Sequence, residues 1–242
     1  MKRIFCIVVI LFGTIGVFAQ ERTISKAEFE AVSKNPNRHA LVAWKGKSFR
    51  NIRTIEVKIE GPKPLDQFLK STHEFVPNNA AESNRLYASR FVTENRTGTE
   101  TTRSESIVIG DKNYKRKDNQ PWTLETVEVK PKPPTTETTA PPSSVSTVVK
   151  RIIEYKYLGT EKLNNQTADI YAEIMKIKHL DPATNQETRN TQITKYWFNE
   201  DGVILKEDTV WDSRGKAVTF YNHRTSVWEL DPNIKIEVPA VN

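Results

Sequence analysis

From residue 150 to residue 238 the chain is a succession of strand-period segments separated by turns, with no helical stretch between them. Ile153, Tyr155 and Tyr157 alternate with Glu154 and Lys156, and a period of two places the two sets on opposite sides of a sheet. Leu163-Asn164-Asn165-Gln166 makes a turn into an apolar-rich segment over 168–177, and Asp181-Pro182-Ala183-Thr184-Asn185 makes a longer one. Residues 193–198 are joined to 203–211 through Asn199-Glu200-Asp201-Gly202, a hairpin signal because Asp-Gly tolerates positive φ. A second hairpin runs through Asp212-Ser213-Arg214-Gly215-Lys216 to residues 218–223. Four or five consecutive meander strands follow, which excludes an alternating α/β architecture for this half.

The first half carries the same signature less densely. Ile55, Val57 and Ile59 oppose Glu56, Lys58 and Glu60, the mark of a half-buried strand. Residues 68–76 fit a helix or a strand equally. Residues 86–93 and 106–109 read as strands, the latter entering the turn Gly110-Asp111-Lys112-Asn113 with Tyr114 and Arg116 on the return. One helix is indicated. Ser25 as N-cap with Glu28 three residues on is a capping box, Ile24 and Phe29 occupy the staple positions, and Asn35-Pro36 ends the segment.

Residues 1–19 read as a secretion signal. Lys2 and Arg3 supply charge, residues 4–12 the apolar run and Val17-Phe18-Ala19 a small-x-small cleavage site before Gln20. The run is interrupted by Gly13, Thr14 and Gly16, which disfavours a membrane anchor. The only cysteine, Cys6, lies inside that run, so the mature chain is expected to hold no disulfide and no thiolate metal site. Without residues 1–19 the balance is 34 Lys+Arg against 30 Asp+Glu, since Lys2 and Arg3 leave the 36. This spread, near-neutral charge favours solubility over nucleic-acid binding.

Residues 131–146 are nearly all proline, threonine and serine, a composition that cannot bury enough surface to offset the entropy of ordering. The segment reads as a linker or a long loop. We read residues 20–242 as one domain containing it as a mobile Pro/Thr-rich loop.

Several segments resemble a known group. Glu154-Tyr-Lys-Tyr-Leu-Gly-Thr-Glu161, Lys195-Tyr-Trp-Phe198 with Asp201-Gly-Val-Ile-Leu-Lys206, and Ile234-Lys-Ile-Glu-Val-Pro239 look like the C-terminal half of the LolA/LolB/RseB-like periplasmic lipoprotein-carrier superfamily. Glu105-Ser-Ile-Val-Ile-Gly-Asp-Lys-Asn-Tyr-Lys-Arg116 followed by Pro121-Trp122 resembles a strand pair of the same group. The resemblance spans roughly residues 50–239 and rests on turns and strand residues, not on a site signature. It implies a mainly β fold with short helices, a strongly curved antiparallel sheet or incomplete β-barrel with a helical plug. It also implies a periplasmic or secreted, non-enzymatic protein of the bacterial envelope that shelters a lipid or lipoprotein acyl chain. The alternative is an envelope protein-interaction or sensor module whose interior is filled.

The inward-facing set under the carrier reading is Ile55, Val57, Ile59, Phe91, Tyr155, Tyr157, Tyr196 and Phe198, with Arg90 near the stretch where the carrier itself places an arginine inside its cavity. Aromatic alternation in strands is more often packing than ligand contact, so an ordinary packed core is the competing reading for each, and Arg90 reads rather as an exposed strand residue. Trp197, Trp211 and Trp228 fit either core or rim. No catalytic residues, cofactor or metal site are expected. His39, His73, His179 and His223 lack ligand spacing, and no nucleophile elbow, phosphate loop or dinucleotide fingerprint is present.

Overall fold

The computed structural model describes residues 21–36, 38–78, 86–126, 147–182 and 184–241. The proposed signal at 1–19 and the segment 131–146 lie outside them. One twelve-stranded, wholly antiparallel sheet accounts for most of these residues, in the order β1-β8-β9-β10-β11-β12-β2-β3-β4-β5-β6-β7. Two meanders make it up. The first is β2 (Phe49–Glu60), β3 (Leu65–Pro77), β4 (Tyr87–Thr97), β5 (Glu100–Ile109), β6 (Lys112–Lys117) and β7 (Thr123–Thr126). The second is β8 (Thr147–Leu163), β9 (Gln166–Asp181), β10 (Gln186–Phe198), β11 (Ile204–Arg214) and β12 (Thr219–Leu230). Pairing of β12 with β2, from Thr219↔Glu60 to Leu230↔Phe49, joins them. The short β1 (Arg22–Ile24) lies against Tyr155–Tyr157 of β8.

Residues 68–76 resolve as strand. Their backbone pairs with β4 along the whole segment and with β2 as far as Phe75, and this tertiary pairing overrides any local helical preference. Two residues suffice for the turn between β8 and β9, where Asn164 and Asn165 both take positive φ, 49° and 64°, directly between the paired Leu163 and Gln166. That is the backbone of a two-residue hairpin loop matched to strand twist, and asparagine is one of few side chains that tolerates it.

Helix α1 (Lys26–Ser33) begins as the sequence indicates, with the Glu28 amide donating to Ser25 Oγ at 3.1 Å. The reciprocal half of the capping box is absent: the Glu28 carboxylate is taken by Arg22 Nη2 at 2.5 Å. Ile24 and Phe29, the staple pair, are both buried. A second, four-residue helix, α2 (Ala40–Ala43), was not legible in the sequence, because one turn is too short to show a period. Its segment crosses one end of the sheet: the Ile204 amide donates to the Arg38 carbonyl, while the Tyr87 hydroxyl donates to the Trp44 carbonyl and accepts from the Gly46 amide. Trp44 and Ala40 there close over Phe49, Leu205 and Val203, and Phe49 is 1% exposed. Gly202 sits at this end where a side chain would be strained. Its φ is +74°, and an added Cβ would meet Asn35 Nδ2 at 2.5 Å.

Candidate functional site

Register sorts every strand residue onto one of two faces. Tyr155, Glu173, Thr194, Thr209, Arg224, Ile55 and Leu69 stand opposite one another in a single row across β8, β9, β10, β11, β12, β2 and β3. The neighbouring row on the same face is Tyr157, Tyr171, Tyr196, Glu207, Ser226, Arg53 and Ser71. Both helices pack on this face: the Phe29 ring of α1 stacks on Tyr155 at 4.8 Å and approaches Tyr196 at 6.0 Å. Ile55, Val57, Ile59, Tyr155, Tyr157, Tyr196 and Phe198 all project to it, and so does Phe91, opposite His73 and Asn51. Arg90 does not. One residue along β4 from Phe91, it projects to the opposite face, where its Nε donates to Glu105 Oε1 at 2.6 Å.

The eight residues do not behave alike. Phe198 is fully buried, in ring contact with Tyr171 and Tyr196, and Tyr155 and Tyr196 lie beneath Phe29, so this group is packed core. Away from the helices the same face opens. Phe91, beside His73, is 41% exposed; across the sheet Trp211 is 43% and Ile153 37% exposed, and Ile55, Val57 and Ile59 on β2 are half-buried. Trp211 makes an edge contact with Phe220 at 5.4 Å. Trp197 is buried, donating to Glu161 Oε2 at 2.7 Å with Lys206 Nζ over its ring, and Trp228 packs against the core.

A polar belt crosses this face, with Phe91, beside His73, on one side of it and Val57, Ile59 and Trp211 on the other. Ser71, Thr194, Thr209 and Ser226 are buried in it, Thr209 Oγ1 donating to Thr194 Oγ1 at 3.3 Å. Arg224 is paired with Glu207. Arg53 is solvent-exposed, and its Nε donates to Ser226 Oγ at 3.3 Å. Burial first, then the nearby Glu207 and Glu173 carboxylates, push the Tyr196 hydroxyl up to about 12. Burial also dominates at Tyr157, raised to about 12 with help from the hydrogen bond it donates to Asp169 Oδ1 at 2.9 Å. His73 lies between Phe75 and Phe91, ring centroids 4.0 and 5.3 Å away. Burial, and secondarily the charge of Arg53, pull its pKa below the ordinary imidazole value, so it is neutral at pH 7.

A cavity of about 680 Å³ lies beside this belt over β3–β6, with Leu69, Phe91 and Pro121 as its apolar walls and polar residues, Thr93, Asn95, Lys115 and Lys117 among them, making up the rest. That volume falls in the usual range for small-molecule sites, roughly 300–1,000 Å³. A larger opening, about 980 Å³, lies between α2 and the hairpin tips. Its walls mix Val42, Trp44, Val203 and Leu230 with the turn residues Asn165, Gln166, Asn199, Glu200 and Asp201; the smaller cavity carries the exposed Phe91 ring, and we assign the site to that side.

Chemistry-bearing clusters elsewhere are sparse. On the opposite face His223 Nε2 lies 2.5 Å from Asp208 Oδ1, with the Thr225 hydroxyl bonded to the same oxygen at 3.1 Å and 3.4 Å from the same ring nitrogen. A nucleophile relay uses the two different imidazole nitrogens, and this cluster uses one. Among the described residues no group of three or more His, Cys, Asp or Glu is placed to hold a metal ion, and no helix is long and apolar enough to cross a membrane. Arg53 and the belt escaped the sequence reading, although Arg53 has the same parity as Ile55 and was to be found by extending that alternation two residues back.

No protein-family model matches the chain, and no curated protein matches it significantly. Three solved structures similar to it are an S-type phycobiliprotein lyase from Guillardia theta, the KdgM porin in complex with oligogalacturonate, and a hot dog fold protein of unknown function from Alicyclobacillus acidocaldarius. The lyase is 9% identical with a TM-score of 0.22, covering 86% of this chain and 94% of its own. The porin is 7% identical with a TM-score of 0.18, covering 73% of this chain and 98% of its own. For the hot dog protein the values are 11%, 0.15, 84% and 84%. Superpositions this loose carry no argument about fold or function.

Proposed function

We propose that this is an exported, non-enzymatic binding protein of the bacterial envelope that shelters a lipid or lipoprotein acyl chain on the helix-bearing face of its sheet. In this reading the sheet is strongly curved, an incomplete barrel, with α1 and α2 plugging one end and the open end receiving the chain. The observation that carries it is the coexistence on one face of exposed Phe91, Trp211 and Ile153 with half-buried Ile55, Val57 and Ile59. Trp211, Val57 and Ile59 stand within two strands of one another on that face, and large apolar side chains grouped in this way mark an interaction site more often than scattered ones do. Each methylene removed from water contributes about 0.8 kcal/mol, so roughly ten sheltered methylenes gain about 8 kcal/mol before association costs of about 4 kcal/mol or more. The net gain of up to about 4 kcal/mol corresponds to about millimolar affinity, and each further pair of sheltered methylenes tightens it about tenfold, a range suited to a carrier that must also release.

Native mass spectrometry of the protein purified from its own envelope tests the proposal, together with calorimetric titration of long-chain amphiphiles. Co-purifying lipid, lost in a Phe91→Asp variant that keeps the wild-type circular dichroism, supports it. A ligand-free protein that binds none of the amphiphiles refutes it and favours a protein-interaction module.

A further inference from the structure

We propose that the sheltered molecule bears an anionic head group, carboxylate or phosphate, and that Arg53 reads it. The inference rests on the acyl-chain reading above and names the chemistry of the ligand's polar end. Arg53 stands in the polar belt with Ser226 opposite on one side and Ser71 on the other. Both are small and buried, so the guanidinium rises above a low floor and is reached by solvent. Its one hydrogen bond is from Nε to Ser226 Oγ, and among the described residues no carboxylate lies within salt-bridge distance of it. Both terminal nitrogens are therefore free, the fork geometry that takes a carboxylate or phosphate in two parallel bonds.

The surroundings leave that charge uncompensated. Arg224, on the same face and the next row, is already held by Glu207, so two guanidiniums share one carboxylate in this patch. Glu173, a further carboxylate on the face, is four strands away, about 19 Å across a sheet at normal spacing. His73 is neutral and contributes no second charge. Apolar surface flanks the cation on both sides, Ile55 and Leu69 one row away and Phe91 with Phe75 on the other. An amphiphile whose tail lies on either flank brings its head to Arg53. An uncharged head gains there at most an ordinary hydrogen bond, without the charge.

Calorimetric titration below micellar concentrations, with palmitate, hexadecyl phosphate and hexadecanol as probes, tests this on the wild type and on Arg53→Gln. Arg53→Gln alters an exposed side chain with one hydrogen bond, and its melting temperature is expected to match the wild type. A charge-assisted pair should make one or both anions bind about tenfold tighter than the alcohol, and Arg53→Gln should collapse that ratio while leaving hexadecanol unchanged. Comparing palmitate with hexadecyl phosphate separates a carboxylate source from a phosphate source. Equal binding of all three probes to the wild type overturns the head-group inference and leaves the acyl-chain reading standing, as does an anion preference that survives Arg53→Gln. Binding of none of the three overturns both.

Discussion

Replacing Glu105 by glutamine gives the sharpest test of how the β4–β6 end of the sheet is held. Glu105 is buried, its side chain 2% exposed, and it accepts from Arg90 Nε at 2.6 Å and from Arg116 Nε and Nη2 at 2.9 and 2.6 Å. Arg116 in turn lies over the Trp122 ring, 4.5 Å from its centroid. Burial alone would raise the Glu105 pKa and is the largest single influence, but the hydrogen bonds and charges of the two guanidiniums together outweigh it and hold it below 4.5. Removing one member of a buried ion pair costs about 3–5 kcal/mol. Here the two arginines stay 35% exposed and recover hydration, so Glu105→Gln should cost about 2–3 kcal/mol. At about 2–4 °C per kcal/mol for a chain of this size, the melting temperature falls by about 4–12 °C. The loss has a pH signature. A carboxylate with a depressed folded pKa stabilises fully above its unfolded value and loses that contribution as pH falls through the folded one. Scanning calorimetry at pH 7 should therefore show the full gap between wild type and Glu105→Gln, and the gap should close well below pH 4.5. A variant that melts within 1 °C of the wild type at pH 7, or a gap that persists undiminished at pH 3, refutes the reasoning.

Three further outcomes are expected. Gly202→Ala combines positive φ with a 2.5 Å approach to Asn35 Nδ2 and should cost about 1–3 kcal/mol in chemical denaturation; Asn35→Ala in the same chain recovers the clash but not the backbone strain. Phe49→Ala empties the centre of the core closed by Trp44, a loss of about 3–5 kcal/mol, read by denaturant midpoint at unchanged m-value. Ultraviolet titration should find two tyrosines, Tyr157 and Tyr196, ionising only near 12, and Asp169→Asn should bring the first of them down without moving the second.

Where local chemistry decides, the sequence was legible. The Ser25 cap, the Asn164-Asn165 and Gly110 turns, the Asn199–Val203 hairpin and the phase of Ile55, Val57 and Ile59 all reappear. What escaped is set by partners distant in sequence. Residues 68–76 were undecided until β2 and β4 flanked them, and the proximity of Arg90 to Phe91 concealed that adjacent strand residues face opposite ways. Arg53 was passed over because a charged residue interrupts an apolar alternation, which makes the strand appear to begin at Ile55. The division of the eight candidates into packed and open groups depends on where Phe29 settles, and no spacing rule states that.

The ladder between β12 and β2 brings together segments about 170 positions apart, Leu230 with Phe49 at its extreme. Loop-closure entropy should make such a pairing slow to form. Until the last strand has emerged, β2 and β11 each expose an unpaired edge, the kind of template on which chains self-associate. Loss of the final dozen strand residues would therefore sever the sheet at its midpoint rather than trim its border. Premature termination near residue 218 should yield inclusion bodies, and supplying the missing strand as a separate peptide offers a direct route to restoring the fold.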